Sequence, residues 1–477
     1  MNQHSRIQSH ATRLCATSSI VSALLAGCGG SDIPFPDRGS VVGSSLLAQV
    51  TTVEIDAGTV TSGVQALTGK SKCGVDIRYV VYRTHDPQDQ PALASEGVFV
   101  PSGTDAACTG ERPVLLYAHG TNTAKLFNMA DVSRNADNTA FNNAAGPEAS
   151  LALAFFAAQG FIVVMPNYLG YENSDLHYHP YLNAESQAVD MVDGLRAAKT
   201  LLATSSAVTP SNKLFISGYS EGGHVAMATH KIIERDYGSE FTVTASAPMS
   251  GPYNLVAFGD IVAGPGPINL GATIFVPLLM TSYQKAYGDI YAKPSDVYQA
   301  PFDATIETLF PTDTPLATLM AQGKLPADPT FTKLFGAGGL LTDGFRAGYA
   351  NSNYRKALLR NTLTGQDTAT GATIGWTPQQ PVSLCGGAQD PTVFWAVNAP
   401  VAQQVLSARG ATVIMRNLED RATLPAGTLG DQIYGGFQQS KTAAAPNTTA
   451  KYHGTLVPPF CNALSRGFFQ QLLAAGQ

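Results

Sequence analysis

Three continuous apolar runs bounded by turn residues recur along the chain: Pro113 to Ala118, Phe161 to Met165 and Leu214 to Ser217. Runs of this kind suit strands buried on both faces, the mark of a parallel sheet. Between them the period becomes helical. Glu148 to Gln159, rich in Ala and Leu and closed by Gly160, predicts one helix. Asn183 to Leu202 predicts a longer one, with Val189, Val192, Leu195 and Ala198 at helical spacing. Upstream, Asp76 to Arg83 and Ser95 to Val100 predict an antiparallel hairpin around a Pro- and Asp-containing connection. Downstream, Val243 to Pro248, Val382 to Cys385 and Thr412 to Met415 predict further strands, with a helix at Ala399 to Ala408. Strands alternating with helices predict an α/β fold with a doubly wound, mostly parallel sheet.

The rhythm breaks between about Asn254 and Trp376. That stretch holds Gly264-Pro265-Gly266-Pro267, an apolar run from Ile274 to Met280, and irregular segments rich in Pro, Thr and Asp. The apolar run is too short for a membrane helix and contains Pro277. Long irregular stretches inside a domain are usually functional, so residues 254–376 are expected to form a helical cap that supplies much of a substrate pocket. A merely decorative insertion is the alternative. No internal repeat is visible.

Composition adds limits. The 477 residues suffice for one large domain with an insertion, and 44% apolar content is that of a globular chain. With 13% charged residues, a net charge of −6 and no Lys/Arg cluster, nucleic acid is excluded as a partner. Arg6 and Arg13, the apolar run Leu14 to Leu25 and the exit Leu25-Ala26-Gly27-Cys28 describe an export signal over residues 1–27. Those last four residues also look like a bacterial lipobox, which would make Cys28 the lipidated start of the mature protein and attach it to a membrane. Cleavage nearby without a lipid is the alternative. Residues 28–50, with Gly, Ser and Pro concentrated in Gly29 to Ser45, are expected to be a flexible tether. The hydrolytic core is then expected in 51–253 and 377–477.

Cysteine usage agrees with export. Cys73, Cys108, Cys385 and Cys461 remain once Cys15 and Cys28 are set aside, an even number that suits two disulfides. Four cysteines allow three pairings; the one adopted as an expectation is Cys73–Cys108 with Cys385–Cys461. There is no Cys-x-x-Cys, which argues against a zinc or thioredoxin-like site.

The chemistry centres on Ser220. Leu214-Phe215-Ile216-Ser217 runs into Gly218-Tyr219-Ser220-Glu221-Gly222-Gly223, and His224 to Ile233 reads as a helix. In a chain with 46 glycines a Gly-x-Ser-x-Gly is weak by itself. A buried strand leading in and a helix leading out make it a nucleophile elbow. There Gly218 and Gly222 let strand and helix approach, and the serine hydroxyl sits at the positive end of the helix. Such a serine needs a base, and the base a partner that fixes its tautomer. In the order that goes with this elbow, acid then histidine follow the serine. His453 is the one histidine beyond the elbow helix; His224 and His230 fall on that helix and read as structural. Asp390, just past the strand Val382 to Cys385, is the expected acid, with Asp420 and Asp431 as rivals beyond the last strand. An oxyanion hole needs two backbone N–H donors, each worth roughly 3 kcal/mol. Glu221 and Thr121, the latter in Tyr117-Ala118-His119-Gly120-Thr121, are the expected donors. His119 reads as structural. His177-Tyr178-His179 lacks further ligands at suitable spacing, so no metal is expected.

Four stretches, Tyr117-Ala118-His119-Gly120-Thr121, Pro166-Asn167-Tyr168-Leu169-Gly170-Tyr171, His179-Pro180-Tyr181 and Gly218-Tyr219-Ser220-Glu221-Gly222-Gly223-His224, together resemble the secretory-lipase, or lipase A-like, α/β-hydrolases. The resemblance spans roughly residues 75 to 475. It implies a secreted or surface-bound esterase or lipase with a helical lid before the acid and no cofactor, and its serine, acid and histidine carry over onto Ser220, Asp390 and His453. Two departures stand out. Some 60 residues separate Asp390 from His453, which suggests an extra loop over the site. The insertion differs enough that acyl-chain preference does not transfer.

The expectation is therefore an exported, monomeric serine hydrolase of carboxylic esters, acting on acylglycerols or other apolar acyl esters. An exported serine aminopeptidase or dipeptidase could use the same triad, and a surface lipoprotein that keeps the fold without the chemistry is a third reading.

Overall fold

The structure, a computed structural model, describes residues 38–132, 145–205 and 207–476. The expected export signal and Cys28 lie outside these residues. Among them, a nine-stranded sheet runs through the molecule. Its strands are β1 (Val41–Val50), β2 (Gly74–His85), β3 (Pro91–Ser102), β4 (Gly110–Ala118), β5 (Ile162–Pro166), β6 (Val208–Tyr219), β7 (Val243–Met249) and, after a small separate hairpin of β8 (Gly365–Gln366) and β9 (Thr373–Ile374), β10 (Val382–Gly386) and β11 (Val413–Asn417). The spatial order is β1-β2-β3-β5-β4-β6-β7-β10-β11. Pairing is antiparallel from β1 to β5 and parallel from β5 to β11. The chain thus has the α/β-hydrolase architecture that its apolar runs predict.

The central strands have no polar face because helices cover both sides. Leu115, Leu116, Val163, Val164, Phe215 and Ile216 are all fully buried. The helices Ala184–Ser205 and Glu221–Asp236 pack on each other and against the sheet. The hairpin β2–β3 alternates instead: Val75, Ile77, Val80 and Tyr82 face inward along β2.

One boundary differs from expectation. Residues 41–50, assigned to the tether, form the edge strand β1, paired with β2. Most of its side chains are exposed, so backbone pairing rather than burial makes it a strand, and no apolar alternation announces it. Its Gly and Ser resemble linker composition for the same reason.

Residues 254–376 carry their own apolar cluster, built on the helices Leu255–Ala263, Ala272–Tyr287, Leu316–Ala321, Asp343–Gly348 and Asn353–Arg360. Pro277 sits inside the second of these helices. The Arg355 guanidinium ties the segment together, reaching Asp260 through two nitrogens at 2.8 Å each and Asp367 at 2.8 Å. The span between Asp390 and His453 is also more ordered than a loop. It holds the helix Ala399–Ala408, β11 and the helix Thr428–Ala444. No described helix is long and apolar enough to cross a membrane.

Disulfides join Cys73 to Cys108 and Cys385 to Cys461, with Cα separations of 5.5 and 5.6 Å. The second ties the end of β10 to the final helix, Val457–Ala474.

Candidate active site

Ser220 stands between β6 and the helix Glu221–Asp236 with φ 60° and ψ −120°. This is an unfavourable conformation for a non-glycine residue, and the packing on either side enforces it. The Ser220 N–H is held by the carbonyl of Met249 at 2.9 Å. A Cβ on Gly218 would lie 2.3 Å from the Gly222 carbonyl oxygen, and one on Gly222 would lie 2.0 Å from that of Ala118. Both glycines are therefore required by the close passage of the helix over β4 and β6.

His453 comes from the turn Tyr452–Leu456 that opens the final helix. Its Nε2 lies 2.8 Å from Ser220 Oγ and its Nδ1 lies 2.6 Å from Asp390 Oδ2. The Tyr219 hydroxyl donates to the His453 carbonyl at 2.5 Å and holds the turn over the elbow. Asp390 is buried, and its other oxygen accepts the amides of Thr392 (2.8 Å) and Val393 (3.1 Å). Those two amides fix the carboxylate plane, so that Oδ2 is left for the imidazole. A proton on Nδ1 then leaves Nε2 as acceptor of the serine hydroxyl proton. The rivals do other work: Asp420 accepts the Ala422 amide at 3.0 Å, and Asp431 pairs with Arg421 at 2.7 Å.

Gly120 and Thr121 face Ser220 across a cavity of about 560 Å³ that is also lined by Glu148, His453 and Phe331. The Gly120 amide donates to both oxygens of Glu148 at 3.1 Å. Behind this loop, His119 is fully buried and stacked on Tyr168 with ring centroids 4.0 Å apart. Burial lowers its pKa to about 4, so it is neutral at working pH. The Tyr168 hydroxyl returns to the His119 carbonyl at 3.0 Å, which explains why Pro166–Tyr171 and the 117–121 stretch occur together.

His179 is occupied in the same way. Its Nδ1 meets the Leu169 carbonyl at 2.8 Å and its Nε2 meets Glu221 Oε1 at 2.6 Å, with Gln187 donating to the same oxygen at 2.7 Å. The acidic side chain next to the nucleophile is thus held beneath the elbow by His179 and Gln187. His224 binds the Asn361 carbonyl at 3.0 Å, and His230 binds Ser246 and Glu234. Among the described residues no group of three His, Cys, Asp or Glu side chains is placed to hold a metal.

A second, smaller cavity of about 70 Å³ leads from Ser220 into residues 254–376. Leu255, Phe258, Val262, Val276, Leu279 and Leu358 make it mostly apolar. Phe275 and Thr392 line both cavities and stand between them. Sequence reasoning missed Tyr219, Glu148 and Phe275. Only Tyr219, inside the elbow motif, carried a local signal.

The Prolyl oligopeptidase family (Peptidase_S9) matches residues 147–244, which include the elbow. No curated protein matches by sequence. Among solved structures, a ligand-bound form of the rice cell wall degrading esterase LipA from Xanthomonas oryzae is 28% identical, with a TM-score of 0.72 over 93% of this chain and 100% of that one. A putative hydrolase from Legionella pneumophila is 20% identical, with a TM-score of 0.66 over 91% and 98%. Candida antarctica lipase A, at 14% identity and a TM-score of 0.56 over 93% and 92%, shares the fold. Sheet and neighbours together give this chain the α/β-hydrolase fold, and the 28% identity to the Xanthomonas esterase supports hydrolase activity.

Proposed function

We propose that the protein is a serine carboxylic-ester hydrolase acting through an acyl-enzyme. The observation that carries this reading is the single line of hydrogen bonds from Ser220 Oγ through His453 to Asp390. Ser220 attacks the ester carbonyl as His453 Nε2 takes its proton. The imidazolium forms beside Asp390, and the Thr121 and Glu221 amides receive the oxyanion. His453 then protonates the leaving alkoxide. Water, activated by the same imidazole, releases the acid and restores the serine.

The apolar cavity beside Ser220 suits the acyl chain, and its small volume favours short chains. Acylglycerols and other apolar acyl esters are the proposed substrates. Acylated cell-wall material belongs in the same panel, because the Xanthomonas relative is described as a cell wall degrading esterase. Two disulfides support an exported protein, with membrane attachment through a lipid on Cys28 as the expected anchor.

The match to the Prolyl oligopeptidase family favours a second reading, an exported serine peptidase with the same three residues. A panel of 4-nitrophenyl esters of increasing acyl length, run beside amino-acyl 4-nitroanilides, separates the two. Turnover of the short esters is expected. Turnover of the anilides alone would replace the esterase reading with the peptidase one.

A further inference from the structure

Glu148 is a half-buried carboxyl in the wall of the large cavity, outside the three residues assigned to catalysis. It stands in the first turn of the helix Ala145–Phe155 and meets two donors from β4 and the loop after it. Both of its oxygens accept the Gly120 amide at 3.1 Å, and Oε1 also accepts the Tyr117 hydroxyl at 3.0 Å. A Cβ built on Gly120 would lie 3.5 Å from Glu148 Oε2 and 3.7 Å from Ser220 Cβ, so carboxyl and nucleophile flank the same point.

We propose that Glu148 is the positioning residue of the oxyanion loop: by binding the Gly120 amide it fixes the peptide plane that carries the next donor, Thr121 N–H. This rests on Ser220 being the nucleophile. Gly120 lacks a side chain to brace this turn, and its N–H is spent on Glu148 rather than on substrate. Other bonds hold the loop through the Gly120 carbonyl, which meets His119 Nδ1 at 2.6 Å, and through Thr121 Oγ1, which meets the Tyr181 hydroxyl at 2.9 Å; Glu148 holds it through the Gly120 amide.

The carboxyl also has an unusual charge state. Burial raises its pKa to about 7, against the lowering effect of the Gly120 amide and the Tyr117 hydroxyl. Glu221 on the elbow helix raises it further, and His453 opposes this from the turn before the last helix. Among described residues Tyr219 on β6 and Tyr168 after β5 also feel its charge. Protonated, Glu148 keeps an acceptor for Gly120 and adds no negative charge beside the developing oxyanion. Ionised, it repels that charge.

The test compares wild type, E148A and E148Q on a short 4-nitrophenyl ester from pH 5 to 9, with Ser220 titrated by a fluorophosphonate in each. E148A is expected to keep KM within about threefold and to lose kcat by about tenfold or more, the pattern of an interaction made in the transition state. E148Q keeps a carbonyl acceptor for Gly120 and is expected to hold most of kcat at pH 6. It should lack the fall in kcat that is expected of wild type as pH rises through about 7. E148A with wild-type kcat, or E148Q with the wild-type alkaline fall, would overturn the proposal. Should E148A not fold, the E148Q profile decides alone. A wild type that turns over ester without Ser220 being labelled would instead strike the nucleophile assignment.

Discussion

A methyl group on Gly222 would sit 2.0 Å from the Ala118 carbonyl oxygen and 2.7 Å from that of His119, both of them backbone atoms with nowhere to move. The elbow depends on this approach, because it brings the helix N-terminus under Ser220 and the loop after β4 beside it. Gly222→Ala is therefore expected to destabilise the protein by about 3 kcal/mol, the upper end for overpacking a rigid site. The measurement is the denaturant midpoint against wild type. A variant of unchanged midpoint would mean that helix and β4 are not in contact as described. At this scale the sequence was most legible where chemistry imposes an order. The meeting of Ser220, Asp390 and His453 could be anticipated because the elbow motif, the strand end and the remaining histidine leave few choices. Glu148 could not. In the sequence it is one acidic residue at the start of an Ala- and Leu-rich helix, and its partners, Tyr117 and Gly120, lie 31 and 28 residues away. Burial and a long-range contact give it meaning, and neither has a local signature.

Asp390 and His453, the proposed acid and base, sit on separate elements joined by a covalent bridge. Cys385 lies in β10, whose end turns into Asp390, and Cys461 lies in the helix that His453 introduces. Closing a loop of 76 residues stabilises by roughly 4 kcal/mol in the chain-entropy account. Its position also keeps the carboxylate and imidazole in register. Reduction, or the double variant Cys385→Ala/Cys461→Ala, is expected to lower kcat at a reductant or denaturant level where far-UV circular dichroism is still native. Activity and dichroism lost together would show that the bridge serves stability only. Element by element, buried strands and amphipathic helices were readable because burial imposes a period on the sequence. The edge strand β1 was not, since solvent takes most of its side chains and only its backbone is bound. The helix Thr428–Ala444 was likewise hidden, because a long interval between acid and base looks the same in sequence whether it coils or folds.

Seen whole, the molecule sets Ser220 between two spaces of different character. On one side lies the large cavity bounded by the 119–121 loop, Glu148 and the His453 turn; on the other, the narrow apolar one inside residues 254–376. The sheet fixes the serine, and the inserted segment shapes what reaches it. That division explains why the sheet and elbow were legible and the cavity walls were not: motifs constrain the sheet, whereas the walls come from dispersed Leu, Phe and Val whose meeting depends on the packing of several short helices. All of it presumes a covalent acyl-enzyme at Ser220. The most direct measurement is therefore intact-protein and peptide mass spectrometry after brief mixing with a 4-nitrophenyl ester and, separately, with a fluorophosphonate. The account predicts one adduct of the acyl or phosphonyl mass per chain, located on the peptide containing Ser220 and absent in Ser220→Ala. Ester turnover that continues in Ser220→Ala, or an adduct on another residue, would contradict it.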